Sequence, residues 1–75
     1  MNELAIIDQI RALLERLFGI PATKIDREDD VGADWGLVNH ERATLESELY
    51  REFPMCSESF ADCVTISDFA RMVGP

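Results

Sequence analysis

Apolar residues recur with helical spacing in three stretches of the chain, separated by two stretches without a sustained period. In residues 3–18, Leu4, Ile7, Ile10, Leu14 and Leu17 repeat every three or four positions, and Ile6, Leu13 and Phe18 widen the stripe. This predicts an amphipathic helix whose broad apolar face is covered by other helices. Asn2 is placed to cap its start, and Glu3 suits the positive end of the helix dipole. Gly19 can take the left-handed conformation that closes a helix, and Pro21 blocks continuation.

Residues 19–38, GIPATKIDREDDVGADWGLV, form a long connection. Loops of this length in a small domain are uncommon and often functional. Ile20, Ile25 and Val31 are isolated apolar residues that peg it to the core. The run Asp26–Asp30 holds four acids and one base and reads as a solvated loop. Gly32 and Gly36 flank Asp34 and Trp35 and favour a tight turn, so the second helix starts after Gly36, with Asn39 as its expected cap. Val38, Leu45, Leu49 and Phe53 share one face of this helix, with Ala43 and Tyr50 at the edges. Glu41, Glu46, Glu48 and Glu52 occupy the rest, offset by Arg42 and Arg51, and Pro54 ends the helix at Phe53.

Residues 54–63 are a second connection, expected to contain one short helical turn at Ser59–Asp62. Thr65 and Asp68 then have the spacing of a capping box, and Val64 and Phe69 that of a hydrophobic staple. Ile66, Phe69, Ala70 and Val73 are the buried face of the last helix, and Gly74 closes it. The pattern predicts one all-α domain over residues 1–75, a bundle of three main helices and one short one.

Composition narrows the chemistry. Seven basic against 15 acidic residues give a net charge of -8. That argues against nucleic acid and anionic membrane surfaces, and favours a protein partner with a basic docking surface. No stretch approaches the roughly 20 apolar residues of a membrane helix. MNELAIIDQI lacks the features of a signal peptide, so the expected location is cytoplasmic. Cys56 and Cys63 match no zinc or CxxC spacing and are read as reduced thiols, a disulfide between them being the minor alternative. His40 could pair with Glu41 or Asp34, but no nucleophile or metal cluster accompanies it, so no catalytic role or metal site is expected.

Four segments in order carry a resemblance. They are the end of the first helix at Leu17–Ile20 with Ile25 beyond it, the turn Val31–Asp34, the helical LESELYREF of Leu45–Phe53, and VTISDFARMV of Val64–Val73. Together they resemble the acyl carrier proteins, the small acidic four-helix modules of fatty-acid and polyketide synthesis. The resemblance implies an acyl-carrier-like four-helix bundle and a phosphopantetheine group on a serine directly after the turn's aspartate. That position holds Trp35, and counting back from Phe53 puts Asn39 there instead. Neither side chain is a phosphoryl acceptor. The chain is therefore expected to lack phosphopantetheine and to act by contact with a biosynthetic enzyme. The expected contacts are Asp34, Trp35, Glu41, Glu46 and Glu48. Trp35 is either a partner anchor or a plug at the end of the bundle, and the glutamates are either a docking face or an ordinary solvated one. Two alternatives stay open. One is a working carrier modified at another hydroxyl, such as Thr44 or Ser47. The other is an unrelated small acidic adaptor or inhibitor. A monomer and a weak dimer, pairing through Trp35 or the loop's apolar residues, are both compatible with this reading.

Overall fold

Asn2 starts the first element as its residue type suggests. In the computed structural model, which describes residues 2–56 and 59–74, the Asn2 side chain accepts from the Ala5 N–H at 2.8 Å. Helix α1 runs Glu3–Phe18 and ends at Gly19, whose N–H reaches the Glu15 carbonyl at 2.9 Å and whose φ of 71° turns the chain out of the helix. Ile6, Ile7, Ile10, Leu13 and Leu14 are buried. Leu4 departs from the expected stripe and is 59% exposed, because it lies roughly a third of a turn from the centre of the buried face. Helix α2 spans Asn39–Glu52 and α3 spans Ile66–Val73.

The long first connection is not structureless. It holds a single 3-10 turn, Ala22–Lys24, and a run of turns over 31–35. Ile25, Val31 and Leu37 are buried, while Ile20 is a half-buried peg. The loop's backbone is stitched to the entrance of α3. Val31 donates to the Val64 carbonyl at 3.0 Å, Ile66 to Asp29 at 3.2 Å and Ser67 to Arg27 at 2.8 Å. Asp30 and Thr65 form an isolated antiparallel bridge. Arg11 on α1 adds an Nε–H bond to the Ile25 carbonyl. Buried backbone groups need such partners, so a loop this long can cross the core only where a second segment supplies them.

Glu3 at the start of α1 lies 4.0 Å from Arg71 near the end of α3, and Ile6 meets Gly74. Arg42 near the start of α2 reaches the Cys63 carbonyl just before α3, and the Cys56 thiol beyond α2 lies 3.5 Å from the Met72 carbonyl. Leu45 and Leu49 of α2 meet Ile66, Phe69 and Ala70 of α3 and the α1 stripe in one hydrophobic core.

Four expectations change. The cap of α2 is Val38, not Asn39, which is the first helical residue. Valine has no side-chain acceptor, and only the returning bond is made, from the Val38 N–H to the Glu41 carboxylate at 3.2 Å. Val38 therefore sits at the helix entrance, 57% exposed, instead of on the buried face. The short helix expected in 54–63 is not among the elements. The described residues there are turns, and Ser57 and Glu58 lie outside the described residues. The Ser59 hydroxyl takes the Ala61 N–H, two residues on, which makes a turn in place of a helix cap. Phe60 fills the core at this point, between Tyr50 at 4.9 Å and Phe69 at 5.5 Å. Lastly, Val64 is 46% exposed and Phe69 is fully buried with its ring against Phe60, a poor match to a staple. The Thr65–Asp68 capping box is present as expected.

Candidate docking site at the head of the second helix

The turn before α2 is built from carboxylates that bind the loop's own backbone. The Asp30 carboxylate accepts from the Gly32 and Ala33 N–H groups at 2.7 and 2.8 Å, and Asp34 accepts from the Asp30 N–H at 2.7 Å. Asp26 accepts from Glu28, and Asp29 from Asp26. Such short bonds are what Asp offers in turns. Gly36, with φ of 71°, bends the chain so that Leu37 enters the core.

Trp35 is half-buried, packed against the core, and its indole N–H donates to the Asp29 carboxylate at 3.0 Å. Asp34 beside it is exposed. The indole therefore closes one edge of the core and is also held by the acidic loop. The three glutamates do not join this pair on one face. Glu41 is spent on the Val38 N–H. Glu46 pairs with Arg42 at 3.0 Å on the side of α2 that faces the α2–α3 connection. Glu48 lies on the other flank, 3.5 Å from Arg16 of α1 and 3.8 Å from Arg51. Helical spacing puts Glu46 and Glu48 roughly 200° apart about the α2 axis.

Glu41 makes no ion pair among the described residues, but the densest run of such carboxylates is elsewhere. Among the described residues, Asp26, Glu28, Asp29, Asp30 and Asp34 make no salt bridge. The one cation of this run, Arg27, is taken by Glu3 at 2.7 Å and by the buried Ser67 hydroxyl at 3.1 Å. The acidic surface thus lies on the loop that enters α2. The run Asp26–Asp30 was visible in the sequence as charge, but that Arg27 points back to Glu3 depends on a contact 24 residues away.

The hydroxyls behave as helix residues. Thr44 is exposed and donates to the His40 carbonyl at 2.9 Å, and Ser47 is exposed at mid-helix. No hydrogen bond or ion pair among the described residues joins the His40 ring to Asp34 or Glu41. No group of three His, Cys, Asp or Glu side chains among them is placed to hold a metal ion. Cys56 and Cys63 are free thiols. Burial pushes the Cys63 thiol above its ordinary value, and the nearby Asp68, Glu46 and Asp62 charges add to this against the opposing pull of Arg42. Asp68 is held below the usual carboxylate value, chiefly by the Thr65 and Val64 N–H groups and then by Arg71.

A groove of about 270 Å³ lies away from this site, lined by Gln9, Ala12, Leu13 and Arg16 of α1 and Glu52 at the end of α2. No helix is long and apolar enough to cross a membrane among the described residues. Comparison with protein-family models, with curated proteins and with solved structures gives no match.

Proposed function

We propose that this chain is a divergent module of the acyl-carrier type that docks through its acidic loop onto a basic surface of a fatty-acid or polyketide-type biosynthetic enzyme, without carrying phosphopantetheine. The observation that carries this reading is the loop Asp26–Asp34. It holds five carboxylates without an ion pair, directly ahead of the helix where the resemblance puts the prosthetic serine. Carboxylates left unpaired in a preorganised turn raise the on-rate and favour cationic partners. The order of elements supports it as well: a long first connection, a second helix that follows the Gly36 turn, and a last helix with a Thr65–Asp68 cap. Trp35, with its N–H bonded to Asp29, and Asn39, at the first helical position, offer no hydroxyl.

The test is a titration against a carrier-dependent ketosynthase and a phosphopantetheinyl transferase, followed through the fluorescence of the single Trp. Binding should weaken with salt, and Asp26→Asn, Glu28→Gln and Asp34→Asn together should weaken it about tenfold or more, since three charges leave while acceptor oxygens stay. Binding indifferent to both changes, or no binding to either enzyme, refutes the reading. One observation favours a second reading, an unrelated acidic adaptor or inhibitor. The described part of the α2–α3 connection is turns where the resemblance implies a short helix. That reading expects no affinity for carrier-dependent enzymes.

A further inference from the structure

Phe60–Cys63 is fastened to the fold in an unusual way. Its backbone N–H bonds are local: Ala61 donates to the Ser59 hydroxyl and Cys63 to the Phe60 carbonyl. The carbonyls of Phe60 and Cys63 both accept from one atom, Nη2 of Arg42, each at 2.6 Å. The same guanidinium bonds Glu46 through Nε at 3.0 Å and lies 5.2 Å from the centre of the Phe69 ring. Among the described residues, what holds the segment besides Arg42 is the burial of Phe60 (1% exposed) and Cys63 (4% exposed). Val64, by contrast, is anchored at both backbone groups. Its N–H donates to Asp68 and its carbonyl accepts from Val31.

We infer that Phe60–Cys63 is a strap latched by Arg42 and hinged at Val64, which opens as a unit while the three helices stay folded. Segments with few non-local backbone bonds open below the global unfolding free energy. The single side chain that supplies both tertiary hydrogen bonds among the described residues sets how often this one does. Opening withdraws the Phe60 ring from Tyr50 and Phe69 and bares an aromatic surface along the flank of α2. Glu46 steers the latch by orienting the guanidinium, and the Cys63 thiol feels the charges of Asp68, Arg42, Glu46 and Asp62.

Cys63 reports the open state. When closed, its thiol is covered and burial keeps it protonated, whereas alkylation needs an exposed thiolate. The experiment is alkylation of the native protein with N-ethylmaleimide, with each thiol read separately by peptide mass. Cys63 should label by a route insensitive to low urea. Arg42→Lys, which keeps the charge but loses the planar fork, should speed it about tenfold or more, equivalent to about 1.4 kcal/mol, and leave Cys56 within about twofold. Unchanged Cys63 labelling in Arg42→Lys overturns the proposal. If that variant does not fold, the unsubstituted protein decides. Cys63 labelling that rises with urea along the full slope of global unfolding overturns the strap, and labelling flat in low urea supports it.

Discussion

Replacing Trp35 separates the two roles that its position allows. A buried Trp covers about 150–250 Å², and this ring is covered only in part, so Trp35→Ala removes about 100–150 Å² of apolar contact. At about 25 cal/mol per Å², reduced for a partly collapsed unfolded chain, that is about 2–3 kcal/mol. Loss of the indole bond to Asp29 adds about 1 kcal/mol. Asp29 keeps the Asp26 N–H, so no bare buried charge is left. Trp35→Phe keeps most of the area and should cost about 1 kcal/mol through the lost N–H. A domain of 75 residues has about 4–11 kcal/mol in all, so Trp35→Ala should take away a large part of it. The assay is urea unfolding followed by circular dichroism at 222 nm, since the variants lose the fluorescent side chain. A Trp35→Ala protein within about 0.5 kcal/mol of the parent refutes the reasoning, because an indole that closes the core cannot be removed without cost. It would return Trp35 to the role of a free partner anchor.

Thr65→Ala should destabilise the protein by about 0.5–2 kcal/mol, since the Asp68 N–H loses the acceptor 3.1 Å away; an unchanged urea midpoint contradicts the cap. The folded pKa of Asp68 is depressed, so its contribution is fully present above the unfolded carboxylate value of about 3.9 and is lost as pH falls through the folded one. The stability gap between parent and Asp68→Asn should therefore be constant from neutral pH to about pH 5 and shrink below about pH 4, whereas a gap independent of pH contradicts the hydrogen-bonded carboxylate.

The helices were legible because each carries its own punctuation. Asn2, Gly19 and Pro21 bracket α1, and Thr65 with Asp68 starts α3. What was not legible depends on contacts distant in sequence. Phe60 sits in a segment without period, and its burial follows from Tyr50 on one side and Phe69 on the other. Arg42 looked like a charge offset for the helix glutamates. Its two carbonyl partners are 18 and 21 residues away and come within reach only once the segment before α3 folds against the start of α2. Asn39 has the better capping side chain, yet Val38 takes the cap position because Leu37 must be buried and Glu41 already serves the Val38 N–H. At the candidate site the residue types were visible, but their allegiance was not. Glu46 and Glu48 are paired with arginines and Glu41 bonds the Val38 N–H, whereas the Asp26–Asp34 carboxylates bond only N–H groups of their own loop and make no ion pair among the described residues.

On the proposed function, the head of α2 docks a partner without a prosthetic group. The most direct measurement is the intact mass after incubation with coenzyme A and a promiscuous phosphopantetheinyl transferase, beside a control carrier that is fully converted. The account predicts an unchanged mass, because Trp35 is tied to Asp29 and Asn39 has no hydroxyl. An added phosphopantetheine, mapped to Thr44, Ser47 or any other hydroxyl, would contradict it and make the protein a working carrier.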